Sequence, residues 1–231
     1  MTCIIIVFNT DRYLLEQIRL LQKHVSKDIA VIDNSNDFSV SEKLKKYCNE
    51  KEVDYTKTAV NELDFSKSHA FACEIAIAMY RNKSDEILLL DHDIFPIKTF
   101  EKPSEEIILA GIPQYRKTAK DAPQQYIFTY LWAGLLYINT KALKGIEIDI
   151  KPCIVADVFL DTGGGLYKLT KGNPERVIYF NEQHQNLDDG TVYSLIDNGW
   201  IHFINGSNWK QSEGHEERVN KLMSILYSND I

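Results

Sequence analysis

Along the first 95 positions, apolar residues come either in short unbroken runs or at spaced intervals, and the two patterns predict different elements. The run at 4–8, Ile-Ile-Ile-Val-Phe, is short and β-branched, which predicts a strand buried on both faces. Asn9, Thr10 and Asp11 follow as cap-type residues, and Leu14, Ile18, Leu21 and Val25 then recur at helical spacing. A second strand is expected at 29–32, running into the polar loop 33–37. Ser39 and Glu42 make a capping-box pattern for a helix carrying Leu44, Tyr47 and Cys48. A third short strand is expected within 53–58. Phe71, Ala72, Ile75, Ala76 and Met79 lay out one apolar face of a third helix. The apolar run 87–90 then predicts a fourth strand that ends in Asp91-His92-Asp93. The order β-α-β-α-β-α-β is that of a doubly wound parallel sheet.

The second half is less regular. Strands are expected at 107–112, 126–131 and 135–138, followed by a short helix near Lys141. Asp161-Thr-Gly-Gly-Gly165 opens a helix expected to stop at Gly172, and 177–180 and 200–203 are further strands. From Ser212 an amphipathic helix uses Val219, Leu222, Met223 and Leu226. With no repeat and no linker-like tract, residues 1–231 are expected to form one domain, with functional halves at 1–95 and 96–231.

Composition narrows the class. A chain of 231 residues buries roughly 70% of its unfolded surface, so it needs no metal or disulfide merely to fold. Hydrophobic residues at 44% and charged residues at 26% exclude a disordered tail or a small disulfide scaffold. A net charge of −7 leaves no basic footprint for nucleic acid. Cys3, Cys48, Cys73 and Cys153 form no CxxC pair and read as thiols of a reducing compartment. There is no run of 18 apolar residues and no signal-type segment, so a cytoplasmic protein without a membrane span is expected, peripheral membrane contact remaining open.

The sharpest chemical feature is Asp91-His92-Asp93. Residues i and i+2 of an extended segment share a face, and strand ends in open α/β sheets are where ligands bind. Two hard oxygen donors there suit Mg²⁺ or Mn²⁺ bridging to a diphosphate. The competing reading is a strand that simply ends in a polar turn.

This stretch resembles the DxD motif of nucleotide-sugar glycosyltransferases of the GT-A fold, family-2-like, and other segments match in the same order. The resemblance implies a Rossmann-like, mixed but mainly parallel sheet flanked by helices, a donor that is by family default a UDP-sugar, and a glycan or other hydroxyl acceptor. Phe8, Asn9 and Thr10 look like the base-contacting loop, and Asp33 like the acidic residue that reads uracil, against an alternative as an Asx-turn. Lys67 and His69 open a helix that, by this resemblance, corresponds to the stretch approaching the donor, with serine capping and a solvated lysine as the plain alternative. The segment from His202 to Lys210 resembles the HxxGxxKPW-type motif of some retaining members. It implies His202 as third metal ligand beside Asp91 and Asp93, and Lys210 as a diphosphate contact. Here the tryptophan precedes the lysine, no proline is present, and Gly206 comes one residue late. Trp132 and Gly134 fall in the segment similar to the acceptor-side strand, the indole offering an apolar face for a sugar ring. Asp161, with Asp157 in reserve, occupies the context of the base that takes the acceptor's proton.

Two rivals come from other classes. An apolar strand into DxD also marks haloacid-dehalogenase-like phosphatases, in which Asp91 would be phosphorylated and Asp93 would act as acid/base. That motif usually opens a chain, whereas 90 residues precede it here. A catalytically silent GT-A fold used as a binding module would keep nucleotide binding and lose turnover.

Overall fold

The computed structural model describes residues 1–59, 64–121, 124–188, 190–204 and 214–229. Its first half is β1 (Thr2–Val7), α1 (Leu14–His24), β2 (Ile29–Asp33), α2 (Phe38–Glu50), β3 (Asp54–Lys57), α3 (Phe65–Tyr80) and β4 (Ile87–Asp91). The predicted order therefore holds. In β1, Cys3, Ile5 and Val7 pack with α1 and α2, while Ile4 and Ile6 pack with α3. Alternate side chains face opposite sides of a strand, so a strand covered by helices on both faces must be apolar throughout.

The remaining elements are β5 (Ile94–Pro96), β6 (Leu109–Lys117), β7 (Ile127–Ile138), β8 (Cys153–Val155), β9 (Val158–Leu160), α4 (Tyr167–Gly172), β10 (Val177–Tyr179), β11 (Glu182–Asn186), β12 (Val192–Ile196), β13 (Trp200–His202) and α5 (His215–Asn229). The main sheet runs β10-β6-β7-β4-β1-β2-β3, with β1 to β4 parallel and β7 antiparallel to both β4 and β6. A second sheet runs β11-β12-β13-β5, and β8 and β9 form a hairpin. Val219, Leu222 and Leu226 seat α5 against Tyr13, Leu20, Phe95 and Phe203. Among the described residues, no helix is long and apolar enough to cross a membrane.

Several expectations are corrected. The N-cap of α2 is Asp37, which accepts from Ser39 N, so the capping box of Ser39 and Glu42 is not formed. Helix α3 buries Ala72, Cys73, Ala76, Ile77 and Tyr80, whereas Phe71, Ile75 and Met79 are only partly covered. So many positions of α3 are apolar that periodicity could not select its face. The segment at Lys141 is a turn, not a helix. The strands expected at 126–131 and 135–138 are one strand, β7, with an irregularity between them. Gly111 pairs with Leu136 and Pro113 with Leu131, so β7 fits residues 132–135 against Ile112 alone. A proline cannot donate to the ladder, and bulges of this kind re-aim side chains. Strands β5, β8, β9, β11 and β12 had no prediction.

Candidate active site

Strand β1 lies between β2 and β4, so the winding reverses there, and open α/β sheets bind ligands beyond the strand ends at such a point. A cavity of about 350 Å³ opens at this place. Its walls include Phe8 beyond β1, Asp91 and Asp93 around the end of β4, Trp132 in the β7 bulge, Asp161 after β9, and His202 of β13.

The turn carrying the two aspartates is braced from behind. Gln17 is fully buried on the apolar face of α1, and its Nε2 donates to the carbonyls of Asp91 and Ile94, both at 2.7 Å. Past that turn the chain enters β5, which pairs with β13 so that Ile94 lies opposite His202. Phe203 N donates to Asp93 O at 3.0 Å, and His202 Nε2 comes 3.9 Å from Asp93 Oδ1. A residue 109 positions along the chain thereby reaches the aspartate turn through one strand pairing.

Helix α3 brings His69, whose Nε2 lies 2.8 Å from Asp91 Oδ1. Burial alone would lower the imidazole, but the Asp91 carboxylate together with Cys73 outweighs it and holds His69 well above its ordinary value. Burial likewise raises Asp91, and His69, together with His92 and His202, more than reverses it, leaving that carboxyl below its ordinary value. Asp93 ends above its ordinary value, because burial outweighs the pull of His92 and His202. For His202, burial pushes downward while Glu182 and Asp93 raise it further, and the net shift is upward.

Asp161 N donates to the Tyr130 hydroxyl at 3.1 Å, and Thr162 Oγ1 donates to Ser66 O at 2.8 Å, tying this segment to the start of α3. Gly163, at φ +95°, packs so closely on β7 that a Cβ would lie 2.0 Å from Leu131 O.

The structure brings Phe8, His69, Asp91, Asp93, Trp132, Asp161 and His202 to one cavity. Asp33 is elsewhere: fully buried, it accepts from Tyr55 OH at 2.7 Å and from Ser35 N at 2.9 Å, the Asx-turn alternative. Asn9 uses Oδ1 to accept from Asn36 N and Asp37 N, and Thr10 Oγ1 accepts from Arg12 N. Lys67 pairs with Asp64, the N-cap of α3. Asp157 is exposed in the turn between β8 and β9 at φ +62°. Gly134 is buried under the Trp132 ring. Lys210 lies outside the described residues.

Gln17 and Glu182 join the site without being among the residues expected from the sequence. A polar residue inside the stripe Leu14, Ile18, Leu21 was a usable signal for the first. Strand β11 is Glu-Gln-His-Gln-Asn and carries none for the second.

Two carboxylates and an imidazole make a donor set suited to a hard divalent cation. Among the described residues, no group of three or more His, Cys, Asp or Glu side chains is placed to hold a metal ion. A cation beside Asp93 would offset the burial that raises its carboxyl. The residues fit such a cation in donor type, and their present placement does not form a ligating group.

Sheet order, the switch-point crevice and the covering four-stranded sheet define a GT-A fold, the fold of nucleotide-sugar glycosyltransferases. Comparison with solved structures bears this out: an active-site mutant of LgtC superposes with a TM-score of 0.55 at 14% identity, covering 97% of this chain and 96% of that one. TarS of S. aureus gives 0.45 at 18% identity, and a mutant Drosophila galactosyltransferase 7 in complex with manganese, UDP-Gal and xylobiose gives 0.45 at 12%. The Drosophila match covers 94% of this chain and 78% of that one. The TarS match covers 64% of this chain, which spans 30% of the TarS chain. No protein-family model matches the sequence, and no curated protein does.

Proposed function

We propose that the protein is a metal-dependent glycosyltransferase that moves a sugar from a nucleotide diphosphate sugar, a UDP-sugar, to a hydroxyl of a glycan acceptor. The observation that supports it is the convergence of Asp91, Asp93, His202 and Asp161 on one crevice at the sheet's switch point. Asp91, Asp93 and His202 would hold Mn²⁺ or Mg²⁺, whose chemistry is to neutralise charge developing on a departing diphosphate. Asp161 takes the proton of the attacking hydroxyl. It lines the same cavity as the aspartate turn and Trp132, whose ring would give an acceptor sugar an apolar wall. Phe8, with Phe65 edge-on at 6.5 Å between centroids, borders the nucleoside end.

The test is thermal unfolding with UDP, GDP, CMP and dTDP, each with and without Mn²⁺. A ligand at 100 times its Kd adds about 2.7 kcal/mol, or about 5–10 °C for a chain of this size. A metal-dependent shift with UDP is expected, followed by transfer from UDP-sugars. The absence of any shift would overturn the proposal, and binding without turnover over a broad acceptor panel would leave a binding module.

A further inference from the structure

Asp161 is held from two directions. On the β7 side, the Tyr130 hydroxyl accepts from Asp161 N at 3.1 Å, and Gly163 N donates to Ile150 O at 2.7 Å. Asp161 O accepts from Gly164 N at 2.7 Å, which closes the turn on itself. The carboxylate is also engaged, because Thr162 N donates to Asp161 Oδ1 at 2.7 Å.

The tie in the other direction is the Thr162 side chain. That residue is buried, and its hydroxyl donates to Ser66 O at 2.8 Å across 96 positions of chain. Ser66 lies in the first turn of α3, after Phe65, which stands edge-on to Phe8. Two residues on, Ser68 Oγ lies 2.8 Å from Asn34 Nδ2 at the end of β2, and His69 reaches Asp91. This turn is thus fastened to the β2 end on one side and to Asp161-Thr162 on the other. Ser66, Thr162 and Asp161 all line the cavity.

A base is useful only where the hydroxyl it deprotonates also meets the donor, so its distance from the donor wall counts. Reacting atoms must sit about 3–3.5 Å apart, and a misplacement of about 1 Å can cost 10²-fold. The Tyr130 and Ile150 contacts set Asp161 against β7, and the Thr162 hydroxyl sets it against the turn of α3.

We propose that Thr162 is the positioning residue for Asp161, its hydroxyl on Ser66 O fixing the carboxylate at its working distance from the first turn of α3. The placement follows from this chain's hydrogen bonds, and its consequence for transfer rests on the transferase reading.

Wild type, Thr162→Val and Thr162→Ser decide it. Valine keeps the shape and sets a methyl group against the Ser66 carbonyl, whereas serine keeps the hydroxyl. A carbon meets a carbonyl oxygen at about 3.3–3.6 Å, so crystal structures should show Asp161 moved from α3 by about 0.5–0.8 Å in the valine variant alone. With rates taken per nucleotide-binding site, kcat should fall about 10–100-fold in the valine variant and stay within about threefold of wild type in the serine variant. Nucleotide Kd should not change. In an Asp161→Asn background, Thr162→Val should cost less than about twofold more, since a group that acts through Asp161 has nothing left to position. An unmoved Asp161 in the valine variant would overturn the proposal, as would a wild-type kcat there or an undiminished further loss in the asparagine background. Should wild type transfer no sugar from any nucleotide sugar, the functional reading fails while the crystal comparison still decides Thr162. Thr162→Ala, which also lacks the hydroxyl, replaces the valine variant in the kinetics if that one does not fold.

Discussion

Gln17 donates from its side-chain amide to the carbonyl of Asp91 at 2.7 Å, and the same nitrogen reaches the carbonyl of Ile94 on the far side of the aspartate turn. Helix α1 is thereby fastened to the turn that carries Asp93. Gln17→Leu keeps the volume and strips both bonds, leaving two main-chain acceptors without their donor. An orphaned buried group costs about 1–3 kcal/mol. A loss of at least about 2 kcal/mol in urea unfolding is expected, together with weaker Mn²⁺ binding. Unchanged stability would show that the brace carries no weight.

Gly134 and Trp132 are similarly linked. A Cβ on Gly134 would lie 2.2 Å from the Trp132 ring, so Gly134→Ala must push the indole out of its place beside His202. Acceptor KM should rise while donor affinity stays within about twofold, and Trp132→Ala should give the same pattern. Equal losses for donor and acceptor would assign the indole to the donor instead.

For Asp33, the structure predicts a stability effect in place of a specificity effect. Burial and the Asp33 carboxylate both push the Tyr55 phenol upward, as expected of a donor held against a buried anion. Tyr55→Phe should cost about 1–3 kcal/mol of unfolding free energy. It should also leave the order of nucleotides in the thermal-shift panel unchanged. A changed base preference would mean that Asp33 reaches the ligand.

Asp93 sets stability against function. Its carboxyl is raised above 3.8 by burial, so near that pH the folded state binds more protons than the unfolded state. Stability therefore falls as pH rises from the ordinary value through the folded one, and the ionised group is a net cost at neutral pH. Asp93→Asn in EDTA should melt higher than wild type at pH 7, with the gap closing below about pH 4. Its Mn²⁺-dependent shift should be gone. A variant that keeps that shift would remove Asp93 from the cation site.

Asp161→Asn should bind nucleotide and metal as wild type does and lose about 10²–10⁴ in transfer rate, the usual worth of a general base. Asp157→Asn, in the exposed hairpin turn, should transfer at the wild-type rate. Direct turnover assays with saturating donor separate the two.

The sequence by itself determined the scaffold of the first half. Ile4, Ile5 and Ile6 make a strand apolar on both faces, Leu14, Ile18 and Leu21 make one helical stripe, and such local patterns carry through because each element buries what its own period dictates. It also placed Asp91 and Asp93 at a strand end, while Trp132 fell between two expected strands that the structure joins into one. What it could not decide is which polar residues meet. Asp33, Asn9 and Lys67 have the side chains of a ligand site, and each is occupied by a neighbour: Tyr55, the 36–37 backbone and Asp64. Glu182 lies in a strand without hydrophobic alternation, and only the pairings β11-β12-β13-β5 bring it to His202 and His202 to Asp93. Periodicity reports which face of an element is buried. Hydrogen-bonding and charge partners are chosen by residues far apart in the chain, through strand register and packing that no local pattern encodes.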